Sequence, residues 1–169
     1  DKQRGQQRLA RTAFKQDLET FWRQTSSETG KRDALFAADV KFAGQMPRLT
    51  ADFSHVSSLR LTGNAMIDGI GTFVELFPKL QAVQLKDFAL QEIPSFIGRL
   101  RKLKELRMDG CALTFNTAGL DVLTSLPALK RLDLSNNPLA VAPDLQTLPT
   151  LLDVFLVNSG LTSPPDGIA

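Results

Sequence analysis

One cysteine, Cys111, and one histidine, His55, are the only side chains of their kinds in the chain. A cysteine can carry a thioester or attack a carbonyl once a neighbouring group lowers its thiol pKa. A histidine can shuttle protons or ligate a metal. Neither has the company that such work needs. No histidine or acid is placed beside Cys111 to activate it, and it falls where a small inward-turning residue recurs, so a buried structural thiol is expected. His55 directly precedes an apolar segment, a loop or edge position, and a single histidine lacks a second one for a metal site. The pairs Asp87/Glu92 and Glu105/Asp109 suggest acid–base chemistry. They occupy different strand or loop positions with no pocket to raise one pKa, so solvated or salt-bridged surface is expected. There is no glycine-rich phosphate loop, and no cofactor or metal is expected. Catalysis has no home in these residues.

The elements that position the remaining side chains repeat. Four leucines precede position 59 and 23 stand at or after it. Apolar residues recur at steps 1, 4, 6 and 11 of a unit, with a small residue at step 9. The units are Val56-Leu59-Leu61-Asn64-Met66, Leu80-Val83-Leu85-Phe88-Leu90 and Leu103-Leu106-Met108-Cys111-Leu113. Leu129-Leu132-Leu134-Asn137-Leu139 and Leu151-Val154-Leu156-Ser159-Leu161 follow. Starts near 56, 80, 103, 129 and 151 give a period of 22–26 residues, inside the leucine-rich-repeat range. The expected fold is an α/β leucine-rich-repeat solenoid. Short parallel strands line its concave face, helical or 3₁₀ returns its convex face, and an α-helical cap closes its N-terminal end.

Steps 4 and 6 share one face of a strand and should point into the core. Ile93–Gly98 reads as a 3₁₀ or short-helical return, whereas Ile67–Phe77 and Phe115–Leu126 have helical spacing. Asn64 and Asn137 suit a buried amide that satisfies backbone groups between units, and Cys111 and Ser159 are smaller substitutes. Phe88 cannot hydrogen-bond, so the ladder should break there, with water or a shifted loop compensating. Ahead of the repeats, Leu9, Ala13, Phe14, Leu18, Phe21 and Trp22 form one helical stripe. A second helix is expected over Leu35, Ala38 and Phe42, so residues 1–45 read as the cap and 46–169 as repeats. Met46-Pro47-Arg48-Leu49 and Phe53 resemble a degenerate half-repeat between them. Asp1 in place of an initiator Met and an uncapped end at Gly167-Ile168-Ala169 suggest a piece of a longer protein.

Bulk properties narrow the partners. The chain has 169 residues and a net charge of +2, too balanced to bind nucleic acid by charge alone. Residues 1–50 carry ten basic and six acidic side chains, but their aromatic rings share the apolar stripe, whereas base stacking needs exposed rings. No apolar run approaches the roughly 18 residues of a membrane span. Hydrophobic residues make up 43%, enough for a packed core. What remains is a protein partner on the inner sheet face. The central stripe at step 5 reads Arg60, Gln84, Arg107, Asp133 and Phe155, flanked by Lys86, Glu105, Asp109, Lys130 and Arg131. Mixed sign fits a partner of patterned charge better than a polyanion. Leu152, Phe155 and Val157 are apolar where side chains should face outward, so they contact either a following segment or a partner. A monomer is expected.

Phe77-Pro78-Lys79-Leu80, Leu132-Asp133-Leu134-Ser135-Asn136-Asn137-Pro138-Leu139 and Leu161-Thr162-Ser163-Pro164-Pro165-Asp166-Gly167 resemble a family of secreted effectors of Gram-negative bacteria, especially pseudomonads. In that family a leucine-rich-repeat domain precedes a novel E3 ubiquitin ligase (NEL) domain, which passes ubiquitin through a cysteine. The resemblance covers about positions 46–169 and implies secretion, residence in the host cytoplasm and a host substrate selected by the repeats. It carries over no catalytic residue. Here the returns are longer than in the compact effector repeats, and the asparagine ladder is incomplete. The alternative is a stand-alone leucine-rich-repeat scaffold or toxin recognition domain without ligase chemistry.

Overall fold

In the computed structural model, which describes residues 2–26 and 34–167, a 25-residue helix α1 (Lys2–Ser26) precedes a sheet of six strands. The buried stripe of α1 is Phe14 and Leu18, with Ala10, Phe21 and Trp22 half-buried beside them. That spacing keeps one side of the helix on the sheet. Leu9 (72% exposed) and Ala13 lie off the stripe and face solvent, contrary to the expected pattern.

The second expected helix is a strand. Ala34–Asp39 forms β1 and pairs in parallel with β3 (Val56–Thr62), setting Phe36 beside Leu59 and Ala38 beside Leu61. Leu35, Ala38 and Phe42 have helical spacing, but Phe36, Ala38, Val40 and Phe42 alternate. The alternating set is the one turned inward, while Leu35 is exposed. Pairing with a neighbouring strand satisfies the backbone and buries Phe36, which overrides a weak local helical pattern. The sheet therefore begins ahead of position 46.

From β3 onward the strands follow chain order. β5 (Ala82–Lys86), β6 (Glu105–Asp109), β7 (Arg131–Asp133) and β8 (Asp153–Phe155) add in turn, each parallel to the last. Leu59, Val83, Leu106, Leu132 and Val154 stand in register, as do Leu61, Leu85 and Met108. All are buried except Val154 on the edge strand, which is half-buried. A short parallel pair, β2 (Gly44–Gln45) with β4 (Ile67–Asp68), lies outside the main sheet.

Each return folds according to its length. Ile70–Val74 forms α2 and Thr117–Thr124 forms α3, the latter capped by Asn116, whose side chain accepts from the Gly119 N–H at 2.9 Å. Ser95–Arg99 and Leu145–Thr147 are 3₁₀ turns. Pro78, Pro127 and Pro149 sit in the turns that end the returns, where a missing N–H costs nothing.

Helix α1 covers the β1 end of the core through aromatic rings. Phe14 meets Phe36, Phe42 and Phe73 at centroid distances of 6.1, 5.6 and 5.8 Å, and Phe21 meets Phe36 at 5.1 Å. Arg11 lies over the Phe42 ring, and its guanidinium donates to the Gln45 carbonyl. Trp22 donates from Nε1 to the Asp52 carbonyl at 2.9 Å. Removing residues 1–26 would strip this cover while keeping every strand. The truncated chain is expected to associate, visible as a concentration-dependent mass in light scattering. A truncation that stays monomeric and melts cooperatively would contradict a covering role for α1.

Candidate protein-binding surface

Register brings the step-5 residues together. Arg60, Gln84, Arg107, Asp133 and Phe155 are direct partners across five adjacent strands, forming one transverse row on the face opposite the core. Neighbouring strands lie about 4.8 Å apart, so the row spans roughly 19 Å, a length suited to a protein surface. Arg60 and Phe155 are exposed, and the three between them are half-buried. Lys86 and Asp109 are paired neighbours two residues further along, and Glu105 stands opposite Arg131 two residues before.

The charges are locally organised. Glu105 accepts from Arg107 at 2.8 Å and faces Arg131 at 3.7 Å, while Arg131 also reaches Asp153 at 3.2 Å. Glu105, Arg131 and Asp153 therefore form an alternating string across three strands, with Arg107 joined to one end. Of Glu105, Asp109 and Asp133, only Glu105 holds the arginines. Asp133 accepts from the Ser135 N–H, and Asp109 takes the Asn136 side chain at 3.1 and 3.2 Å. Arg60 and Lys86 form no ion pair among the described residues. With Lys130, which likewise has no ion pair among the described residues, these are the free cations of the row and its flank.

Sequence reasoning missed two features. Ser58 and Ala82 are small, while Arg60, Gln84 and Arg107 beside them are long, leaving a depression of about 90 Å³ floored by the small residues. The step-3 side chains were its signal. Second, the strands end in left-handed residues: Asp87 (φ 64°), Gly110 (64°), Asn136 (59°) and Asn158 (53°). Asp, Gly and Asn tolerate that conformation best, so the step-8 residue types were legible. Asn158 donates to Asn136 at 3.1 Å, extending the polar string that begins at Asp109.

Under this face the step-9 residues tie the units together, each in its own way. Asn137 is buried; its amide donates to the carbonyls of Met108, Leu134 and Ser135, and its oxygen accepts from the N–H groups of Cys111 and Leu113. Asn64 donates to the Val40 and Phe42 carbonyls and accepts from Met66 N–H. At Phe88 the side-chain bonds drop out; the backbone bonds from Leu90 N–H to the Phe88 and Cys111 carbonyls, at 3.0 and 3.1 Å, match those of Leu139 N–H to Asn137 and Ser159, and the Leu85 carbonyl takes the Cys111 thiol instead of an amide. The Phe88 ring fills the space over Gly63, where a Cβ would stand 2.0 Å from it.

Cys111 repeats one half of the asparagine pattern. Its thiol donates to the Leu85 carbonyl at 3.2 Å, the step-6 carbonyl of the preceding unit, as Asn137 does to Met108. Burial, with Asp87 and Asp109 adding negative charge, pushes this thiol up to about 11. A thiol held protonated is a poor nucleophile. Cys111→Ser, which keeps a donor of similar size, is expected to leave the fold intact. The native thiol should react with a thiol reagent only on unfolding, as absorbance of the released leaving group would show; rapid native labelling would contradict its placement.

His55 is packed rather than loose. Thr25 donates its single hydroxyl proton to the Phe21 carbonyl at 2.7 Å, so the 2.7 Å contact with His55 requires His55 Nε2 to be the donor. The ring stacks near Phe21 and Phe53. Burial lowers its pKa against an opposing pull from Asp52, which favours the neutral ring in the fold. The unfolded chain binds that proton first as pH falls, so this contribution to stability is lost on acidification through the histidine's ordinary pKa.

Among the described residues, no group of three or more His, Cys, Asp or Glu side chains could hold a metal ion. No described helix is long and apolar enough to cross a membrane. No protein-family model matches the chain, and searches of curated proteins and of solved structures gave no significant match.

Proposed function

We propose that the chain is a leucine-rich-repeat solenoid serving as a protein-recognition module, with the row from Arg60 to Phe155 at the centre of its binding face. The observation that carries this reading is the row itself. Five long or charged side chains stand in register on an open sheet face, above a core of step-4 and step-6 residues that is already filled. Mixed charge pre-arranged by Glu105 supplies orientation and partner discrimination. Arg107 and Gln84, half-buried around the depression at Ala82, are placed where interfaces concentrate their energy.

Within this proposal, the resemblance to NEL-type effectors makes the module the substrate-binding region of a secreted E3 ubiquitin ligase. The partner is then a host protein, and the ligase cysteine belongs to a separate domain, consistent with the inert Cys111. The parent gene decides between this and a stand-alone scaffold. A following helical domain with one acid-flanked cysteine supports the ligase, and a closing cap followed by a stop supports the scaffold.

The binding face is tested by footprinting. Arginine- and lysine-directed reagents should modify Arg60 and Lys86 readily in the free protein and several-fold more slowly once a captured partner is bound. Unchanged rates at both, with protection confined to Arg4 and Arg8 on α1, would move the interface to the helix.

A further inference from the structure

Lys104 and Lys130 stand side by side where the strands begin. The N–H groups of Lys104 and Glu105 donate to the Gln81 carbonyl, those of Lys130 and Arg131 to the Lys104 carbonyl, and those of Leu152 and Asp153 to the Lys130 carbonyl. Gln81, Lys104, Lys130 and Leu152 are therefore consecutive rungs, about 4.8 Å apart. The turns leading into β5 and β6 add Lys79, Arg101 and Lys102 to the same rim. All five cations are exposed, and none forms an ion pair among the described residues.

The acids that could neutralise them are engaged elsewhere. Glu105 is taken by Arg107 and Arg131, Asp153 by Arg131, and Glu75 by Arg99. Like charges on adjacent strands repel, so the rim holds an uncompensated positive strip in a chain whose net charge is only +2. At its β8 end the strip meets Leu152, which is 76% exposed. Cation and apolar surface thus meet in one row.

We propose that this rim docks an acidic segment of a protein partner, its carboxylates on Lys104 and Lys130 and a neighbouring apolar side chain against Leu152. The rim borders the Arg60–Phe155 row, sharing only Lys130 and Leu152 with its surroundings, and the proposal goes beyond that row by giving the strand-start edge its own acidic ligand. Protein fits better than the other polyanions. The five cations have no aromatic ring among them on which bases could stack. A single leucine is not the apolar face that an interfacial membrane contact inserts.

The test is fluorescence anisotropy of a labelled Glu/Leu peptide against the whole chain. Binding should weaken steeply as salt rises from about 50 to 300 mM, because exposed charges are screened over that range. Lys104→Glu with Lys130→Glu should weaken it about tenfold or more. Leu152→Ser should weaken it less, and the matching Gln/Leu peptide should not bind. Lys104→Gln with Lys130→Gln, which avoids introducing negative charge, should give an intermediate loss, and a thermal melt shows whether each variant is folded. If Arg60→Glu with Lys86→Glu abolishes peptide binding while the lysine variants keep it, the rim proposal fails and the inner-face reading stands. If single-stranded RNA or phosphatidylserine vesicles bind the lysine pair and the peptide does not, the acidic-segment proposal is wrong.

Discussion

Asn137→Ala is expected to destabilise the fold by about 3–5 kcal/mol, because each orphaned buried polar group costs about 1–3 kcal/mol. The substitution removes the acceptor of two buried N–H groups, on Cys111 and Leu113, and the donor to three carbonyls. Carbonyls keep a second lone pair and can relax, so the two N–H groups dominate. Asn64 makes a similar set of bonds but is half-exposed, and water can replace it. Asn64→Ala should therefore cost only about 1 kcal/mol. Urea midpoints at unchanged slope measure both. Equal losses, or the reverse order, would mean that the step-9 residues do not join the units as described.

Leu106→Ala is expected to cost about 2–5 kcal/mol, the range for truncating a fully buried leucine. Leu106 is walled by Val83 on one side and Leu132 on the other, both buried, so the cavity has no route to solvent and little room to collapse. Val154 occupies the equivalent site on the edge strand and is only half-buried. Val154→Ala should cost about 1 kcal/mol or less, since less surface leaves water and no closed cavity forms. Chemical denaturation of the two variants reads the difference. A Leu106→Ala loss below about 0.5 kcal/mol, the scale of surface sites, would place that side chain outside the core.

The leucine register was legible because the same spacing recurs five times, and each copy constrains the others. Leu59, Val83, Leu106, Leu132 and Val154 had to align if the strands were parallel and neighbouring, and they do. Strand β1 was not legible. Its residues satisfy helical and alternating patterns at once, and only the pairing of Phe36 with Leu59 decides between them. Phe88 was visible as a break in the polar ladder. What serves the Leu85 carbonyl in its place was not, because the bond from the Cys111 thiol depends on how the next unit's loop is folded. On the proposed binding face, strand spacing placed Arg107 near Glu105 and Arg131. Which cations stay free depends on side-chain reach across strands: Arg131 finds both Glu105 and Asp153, while Arg60 opposite Gln84 finds no acid.

Arg107 and Arg131 are consequently poor places to test recognition by charge reversal. Each change would set new negative charge beside Glu105 and Asp153 and disturb the face itself. Arg60 and Lys86 have no such entanglement among the described residues. The direct measurement is recovery of a protein partner by wild type, by Arg60→Glu with Lys86→Glu, and by Arg4→Glu with Arg8→Glu on α1, at matched thermal stability. Recognition by the inner face predicts that the sheet variant loses about tenfold or more of the recovered partner, because reversing two unpaired cations sets like charges against the partner, while the helix variant keeps it. A sheet variant that recovers its partner in full, beside a helix variant that does not, would place recognition on the N-terminal helix and contradict the account.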